Sequence, residues 1–148
     1  MAAPTYKDLM AMIGNLLVAW GQTETSLGDA LATLPTYKAD WERATFGKRI
    51  DMWRDALLGI STNPELANVL QQQTARLTEI RRLRNSVCHH LSRASAATED
   101  GPEPFIVILA GCQERAIPHS ELERAVDDLA LSREKFHGLI EIARAYPQ

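Results

Sequence analysis

The apolar residues Leu9, Ile13, Leu16, Trp20, Leu27, Leu31 and Leu34 recur at steps of three and four, with one break at Thr23–Glu24. Only an α-helix, at 3.6 residues per turn, brings such a series onto one stripe. A long apolar stripe has to be buried, so the rest of the chain must supply elements that cover it. The first helix is expected from about Pro4 to Leu34. It ends at Pro35, which has no backbone N–H with which to continue it. Gly14, Gly21 and Gly28 lie seven apart and form a small-residue ridge beside the stripe. Each costs a helix roughly 1 kcal/mol relative to alanine. The ridge therefore implies close approach of another helix, within the chain or from a second copy.

The covering elements are legible downstream. After a linker, Thr45 is placed to cap a second helix with Phe46, Ile50, Trp53, Leu57 and Ile60 on one face. In "STNPEL", Asn63 serves as N-cap, Pro64 takes the first helical position and Glu65 falls in the first turn. The third helix is expected from Pro64 to about Leu91. Its stripe reads Leu66, Leu70, Gln73, Leu77, Ile80, Arg84, Val87 and Leu91. "SRASAATEDGPEP" is a loop by composition. "FIVILAG" (Phe105–Gly111) is a β-branched apolar run of strand length, paired either with the loop before it or with "CQERAI" after it. Ser120 and Glu123 form a capping box for a last helix bearing Leu122, Val126, Leu129, Phe136, Ile140 and Ala143. The expected fold is mainly α: one domain over residues 1–148, a four-helix antiparallel up-down bundle with a short β-strand or hairpin insertion between helices three and four.

At 148 residues, 45% of them hydrophobic and 24% charged, the chain is long enough to bury a core without disulfides or metals. The net charge of −3 argues against a protein that coats nucleic acid or an anionic membrane over its whole surface. The charge is uneven, however. Residues 76–93 hold Arg76, Arg81, Arg82, Arg84 and Arg93 against the single carboxylate of Glu79, a local +4 that leaves −7 for the rest. Two cysteines, Cys88 and Cys112, are too few for a disulfide scaffold and suit a reducing, cytoplasmic setting. "MAAPTYKDLM" lacks the pattern of a secretory leader, and no run approaches the ~18 apolar residues of a membrane span.

The stretch "IRRLRNSVCHHLSR", Ile80 to Arg93, gathers the candidates for chemistry. Arg84 falls on the seam that the period assigns to the interior, whereas Arg81 and Arg82 fall beside it. Asn85 and His89 are one helical turn apart and share a face, and Arg84 and Cys88 are related in the same way one step round. Arg84 and His89 are about 140° apart at ~100° per residue, so they flank a common groove. A guanidinium is a permanent fork for phosphate, and an imidazole is the side chain best suited to move protons near neutrality.

The segment "RNSVCH", Arg84 to His89, resembles the signature of the HEPN superfamily: an arginine, a polar residue, a short spacer with a small residue, then a histidine. That superfamily is a four-helix bundle with its motif late in the third long helix, in agreement with the organisation read above. The resemblance implies a metal-independent endoribonuclease, needing no cofactor, whose two protomers bring their arginine and histidine pairs together at a dimer interface. Carried over, His89 is the base that deprotonates the ribose 2′-OH and Arg84 the phosphate clamp. Asn85 positions, Cys88 fills the small position, and the product is a 2′,3′-cyclic phosphate. Such ribonucleases include toxins and antiviral effectors restrained by a protein or nucleotidyltransferase-type antitoxin, and other members are non-catalytic interaction modules.

Each candidate also has a plainer reading. Arg84 can pair with Glu24, which fills the polar gap in the first stripe, either as a purely structural ion pair or as a contact that orients the arginine toward its ligand. His89 can end a helix, where cations suit the macrodipole. Arg81, Arg82 and His90 fit a solvated face, or contacts to an RNA backbone. Zinc is a poor fit to Cys88, His89, His90, Cys112 and His119. The contiguous three point in different directions on a helix, and the spacing matches no finger or ribbon. The alternative to a ribonuclease is a non-catalytic helical homodimer that binds a protein or nucleotide.

Overall fold

A computed structural model describes residues 2–35, 42–96 and 103–147. The linker expected after Pro35 and the middle of the loop before Phe105 lie outside the described residues. Four helices and three strands follow in the order α1 (Tyr6–Ala32), α2 (Phe46–Ile60), α3 (Pro64–His90), β1 (Leu91–Ser95), β2 (Phe105–Ala110), β3 (Gln113–Pro118) and α4 (His119–Ala145). The protein is mainly α, with a small antiparallel sheet between the third and fourth helices in sequence. Among the described residues, no helix is long and apolar enough to cross a membrane.

The helix ends follow from local chemistry. At the start of α1, Thr5 and Asp8 form a reciprocal box: the Asp8 carboxylate accepts from the Thr5 N–H at 2.7 Å, and the Thr5 hydroxyl accepts from the Asp8 N–H at 3.2 Å. Thr45 caps α2 by accepting from the Lys48 N–H, and Asn63 caps α3 by accepting from the Glu65 N–H at 2.9 Å. The capping box expected of Ser120 and Glu123 is not formed. Ser120 instead donates its N–H and hydroxyl to the carboxylate of Glu103, at 3.2 and 2.5 Å, while the His119 N–H donates to the Pro104 carbonyl. The residues just before β2 thus satisfy the first donors of α4, which would otherwise be orphaned.

The chain divides into two compact units, and α1, α3 and α4 contribute to both. One comprises Gly21–Glu79 and Leu129–Gln148. Here Leu27, Leu57, Leu70, Leu77 and Phe136 are fully buried. Trp53 sets its ring edge-on to Phe136 with centroids 5.3 Å apart, and its indole N–H donates to the Phe136 carbonyl at 3.2 Å. This is the arrangement that lets a buried tryptophan keep its one donor satisfied. Gln73 and Ser132 are buried and bonded to each other, so the polar residue in the stripe of α3 has a partner.

The other unit comprises Met1–Trp20 and Ile80–Asp128 and holds the sheet. Strand β2 is central, pairing antiparallel with β1 on one edge and β3 on the other. Both partners expected as alternatives for the apolar run are therefore used. Strand β1 begins one residue before the expected loop, at Leu91, which the helical period places on the buried stripe of α3 and which is exposed. "LSRAS" has no β-branched residue, and its extended form rests on pairing with β2. Gly111, at φ 67°, starts the two-residue turn between β2 and β3, where a side chain would be strained. On one sheet face Ile106, Ile108 and Ile117 are buried.

Two further expectations shift. Leu83, not Arg84, completes the buried stripe of α3, and Ala125 is more deeply buried than Val126 on α4. Gly14 and Gly21 do not serve close helix approach within the described chain. Both are exposed, and a Cβ added at either would meet nothing within 4 Å.

Candidate functional site

The candidate residues of α3 all fall in the unit that contains the sheet, at the C-terminal end of the helix. Leu83 and Val87 anchor this end by burial, which fixes the rotation of the helix and turns Arg84 to the border of the core. Arg84 is half-buried. Its guanidinium donates to the Asn85 side-chain oxygen at 3.0 Å, its Nε–H is shut from solvent with no acceptor, and among the described residues it makes no ion pair with a carboxylate. Its bond to Asn85 is thus the contact that orients the guanidinium among the described residues. Glu24 is half-buried on α1 in the other unit.

Asn85, Cys88, His89 and His90 are exposed. Asn85 orients the arginine rather than the histidine. The rings of His89 and His90 stand edge to face with centroids 6.4 Å apart, both in the last turn of α3, where the helix dipole suits positive charge. Arg81 is half-buried and Arg82 exposed. The local excess of positive charge is sharper than composition suggests. Arg76 pairs with Glu79 and Arg93 with Glu114, each at 3.1 Å, whereas Arg81, Arg82 and Arg84 have no carboxylate partner among the described residues. Three guanidiniums without a carboxylate partner thus fall within a single helical turn, followed by two solvent-facing imidazoles at the helix end, and a guanidinium is a fork suited to phosphate.

A second polar cluster was missed by sequence reasoning, which considered His119 only as a metal ligand. The Asp8 carboxyl is held below the ordinary carboxylate range. The main cause is the hydrogen bond from the Thr5 backbone N–H, followed by that from the Thr5 hydroxyl, with smaller help from the charges of His119 and Lys7. The spacing Thr5-x-x-Asp8 is a capping signature that the sequence does carry. The approach of His119 from the start of α4 is tertiary. No protein-family model, curated protein or solved structure matches the chain.

Proposed function

We propose that the protein is a metal-independent endoribonuclease of HEPN type, built as an up-down four-helix bundle and acting as a homodimer. The observation that carries the reading is the state of Arg84: half-buried, oriented by Asn85, and without the carboxylate that a purely structural arginine would have. Burying a guanidinium without a counter-charge is costly, and an arriving phosphate offsets that cost.

In this reading Arg84 holds the scissile phosphate, and His89 takes the proton of the adjacent ribose 2′-OH. The 2′-oxygen then bonds to phosphorus as the P–O5′ bond breaks, the leaving 5′-oxygen takes a proton from water, and a 2′,3′-cyclic phosphate remains. Asn85 keeps the guanidinium fork in place. Arg81, Arg82 and His90 contact the RNA backbone. The role of toxin or antiviral effector, held in check by a protein antitoxin, belongs to the same reading. It requires no metal, so cleavage is expected in excess EDTA. RNA carrying a single 2′-deoxyribose should resist cutting at that position alone. Cutting at the deoxy position, or dependence on added Mg²⁺, would contradict the mechanism.

A homodimer without catalysis is the second reading, favoured by one observation. The stretch of α1 from Leu9 to Thr23 carries no charge, and it leaves Leu17 40% and Val18 61% exposed beside Gly14. That neutral face suits self-association in either case. The two readings separate on turnover, which only the first predicts.

A further inference from the structure

On α1, Lys7, Ala11, Gly14, Val18, Thr25 and Asp29 fall within about 60° of the helix circumference at ~100° per residue. All six are exposed, and Val18, at the centre of the face, is 61% exposed. With Gly21 and Gln22 they follow steps of three and four, the seam that one helix offers another. Between its ends the face carries no charged residue. Its ends carry single charges of opposite sign, Lys7 and Asp29, and among the described residues neither makes an ion pair within the chain.

Turned end for end about Val18, this face is its own complement. Each residue then meets the one equally far from Val18 on the other side. Lys7 comes opposite the partner's Asp29 and Ala11 opposite the partner's Thr25. Gly14 and Gly21 come opposite the amides of the partner's Gln22 and Asn15. A Cβ at either glycine meets nothing within 4 Å, so there is room for an amide over it. Gln22 is itself held in place by Arg133, which donates to its side-chain oxygen. A parallel pairing would set Lys7 on Lys7 and Asp29 on Asp29, with repulsion at both ends.

We propose that two copies of the chain pair antiparallel through this face of α1, with the two-fold axis at Val18 and a Lys7–Asp29 ion pair at each end. This pairing rests on the homodimer invoked above and gives it a direction and a register. Light scattering over a dilution series at low salt compares full-chain wild type, Lys7→Glu, Asp29→Lys and the double exchange. Each single reversal sets like charges together at both ends and is expected to raise the dimer Kd about tenfold. The double exchange should restore the wild-type value. Both substitutions suit the helix dipole, a carboxylate near its start and a cation near its end, so a weaker dimer is not a weaker fold. Register is read by oxidative cross-linking. Val18→Cys should link to its own copy through position 18, which peptide mapping separates from the exposed native Cys88 and Cys112. Ala11→Cys, about 21 Å from its own copy along the axis, should not link. A dimer that the double exchange does not restore, or in which Ala11→Cys links as readily as Val18→Cys, keeps the homodimer and overturns this pairing. A monomeric wild type removes the homodimer itself, and this pairing with it.

Discussion

Arg84 shows how much a single position on a helix decides. From Ile80, a step of three leads to Leu83 and a step of four to Arg84, and both fit the helical period. The core takes Leu83 because a leucine side chain is buried without the desolvation cost of a guanidinium. Arg84 therefore sits at the border, buried enough to be held and open enough to meet a ligand. Asp8 is the residue whose charge state is most clearly set by its neighbours, through the hydrogen bonds from Thr5. Its pKa is depressed in the folded chain. Its contribution to stability is therefore complete above the ordinary aspartate value of about 3.9 and is lost as pH falls through the folded value. Urea midpoints of wild type and Asp8→Asn should accordingly converge in acid and separate toward neutral pH. A gap that does not change with pH would contradict the role of the Asp8 charge.

At the scale of elements, the helices were legible because each carries its own signals. The caps Thr45 and Asn63 are local and are used as written, and most residues of the apolar stripes are buried. What was not legible depends on distant partners. Strand β1 exists through pairing with β2, and the start of α4 is capped by Glu103 rather than by its own Glu123. Glu103→Ala is therefore expected to cost about 1 kcal/mol, the usual value of an N-cap, measured as a lowered urea midpoint at unchanged slope. Glu123→Ala, which leaves that cap intact, should cost less; the reverse order would restore the local capping box. In the unit that lacks the sheet, Phe136→Ala removes a fully buried ring that packs on Trp53 and should cost about 3–5 kcal/mol. Tryptophan fluorescence reports the same change.

For the whole molecule, the candidate site was legible as a cluster of residue types, because Arg84, Asn85, Cys88 and His89 are close in sequence on one helix. Whether a second chain completes it was not legible, since the glycine spacing on α1 is compatible with an intramolecular or an intermolecular neighbour. A Cβ at Gly14 or Gly21 would meet nothing within 4 Å among the described residues, and the proposed homodimer would use this neutral face of α1. A charge on an isologous face is placed twice and repels its copy. Val18→Glu should shift the protein from dimer to monomer in light scattering at unchanged helicity, and in the composite-site reading it should remove RNA cleavage as well. A monomeric wild type would contradict both.

The most direct test of the central claim compares RNA cleavage in EDTA by wild type, Arg84→Ala and His89→Ala, each shown to be folded. Removing the general base is expected to slow cleavage by about 10²–10⁴-fold, and removing the phosphate clamp by about 10²–10³-fold. Equal cleavage by all three proteins, or none by wild type across varied RNAs, would contradict the assignment of Arg84 and His89.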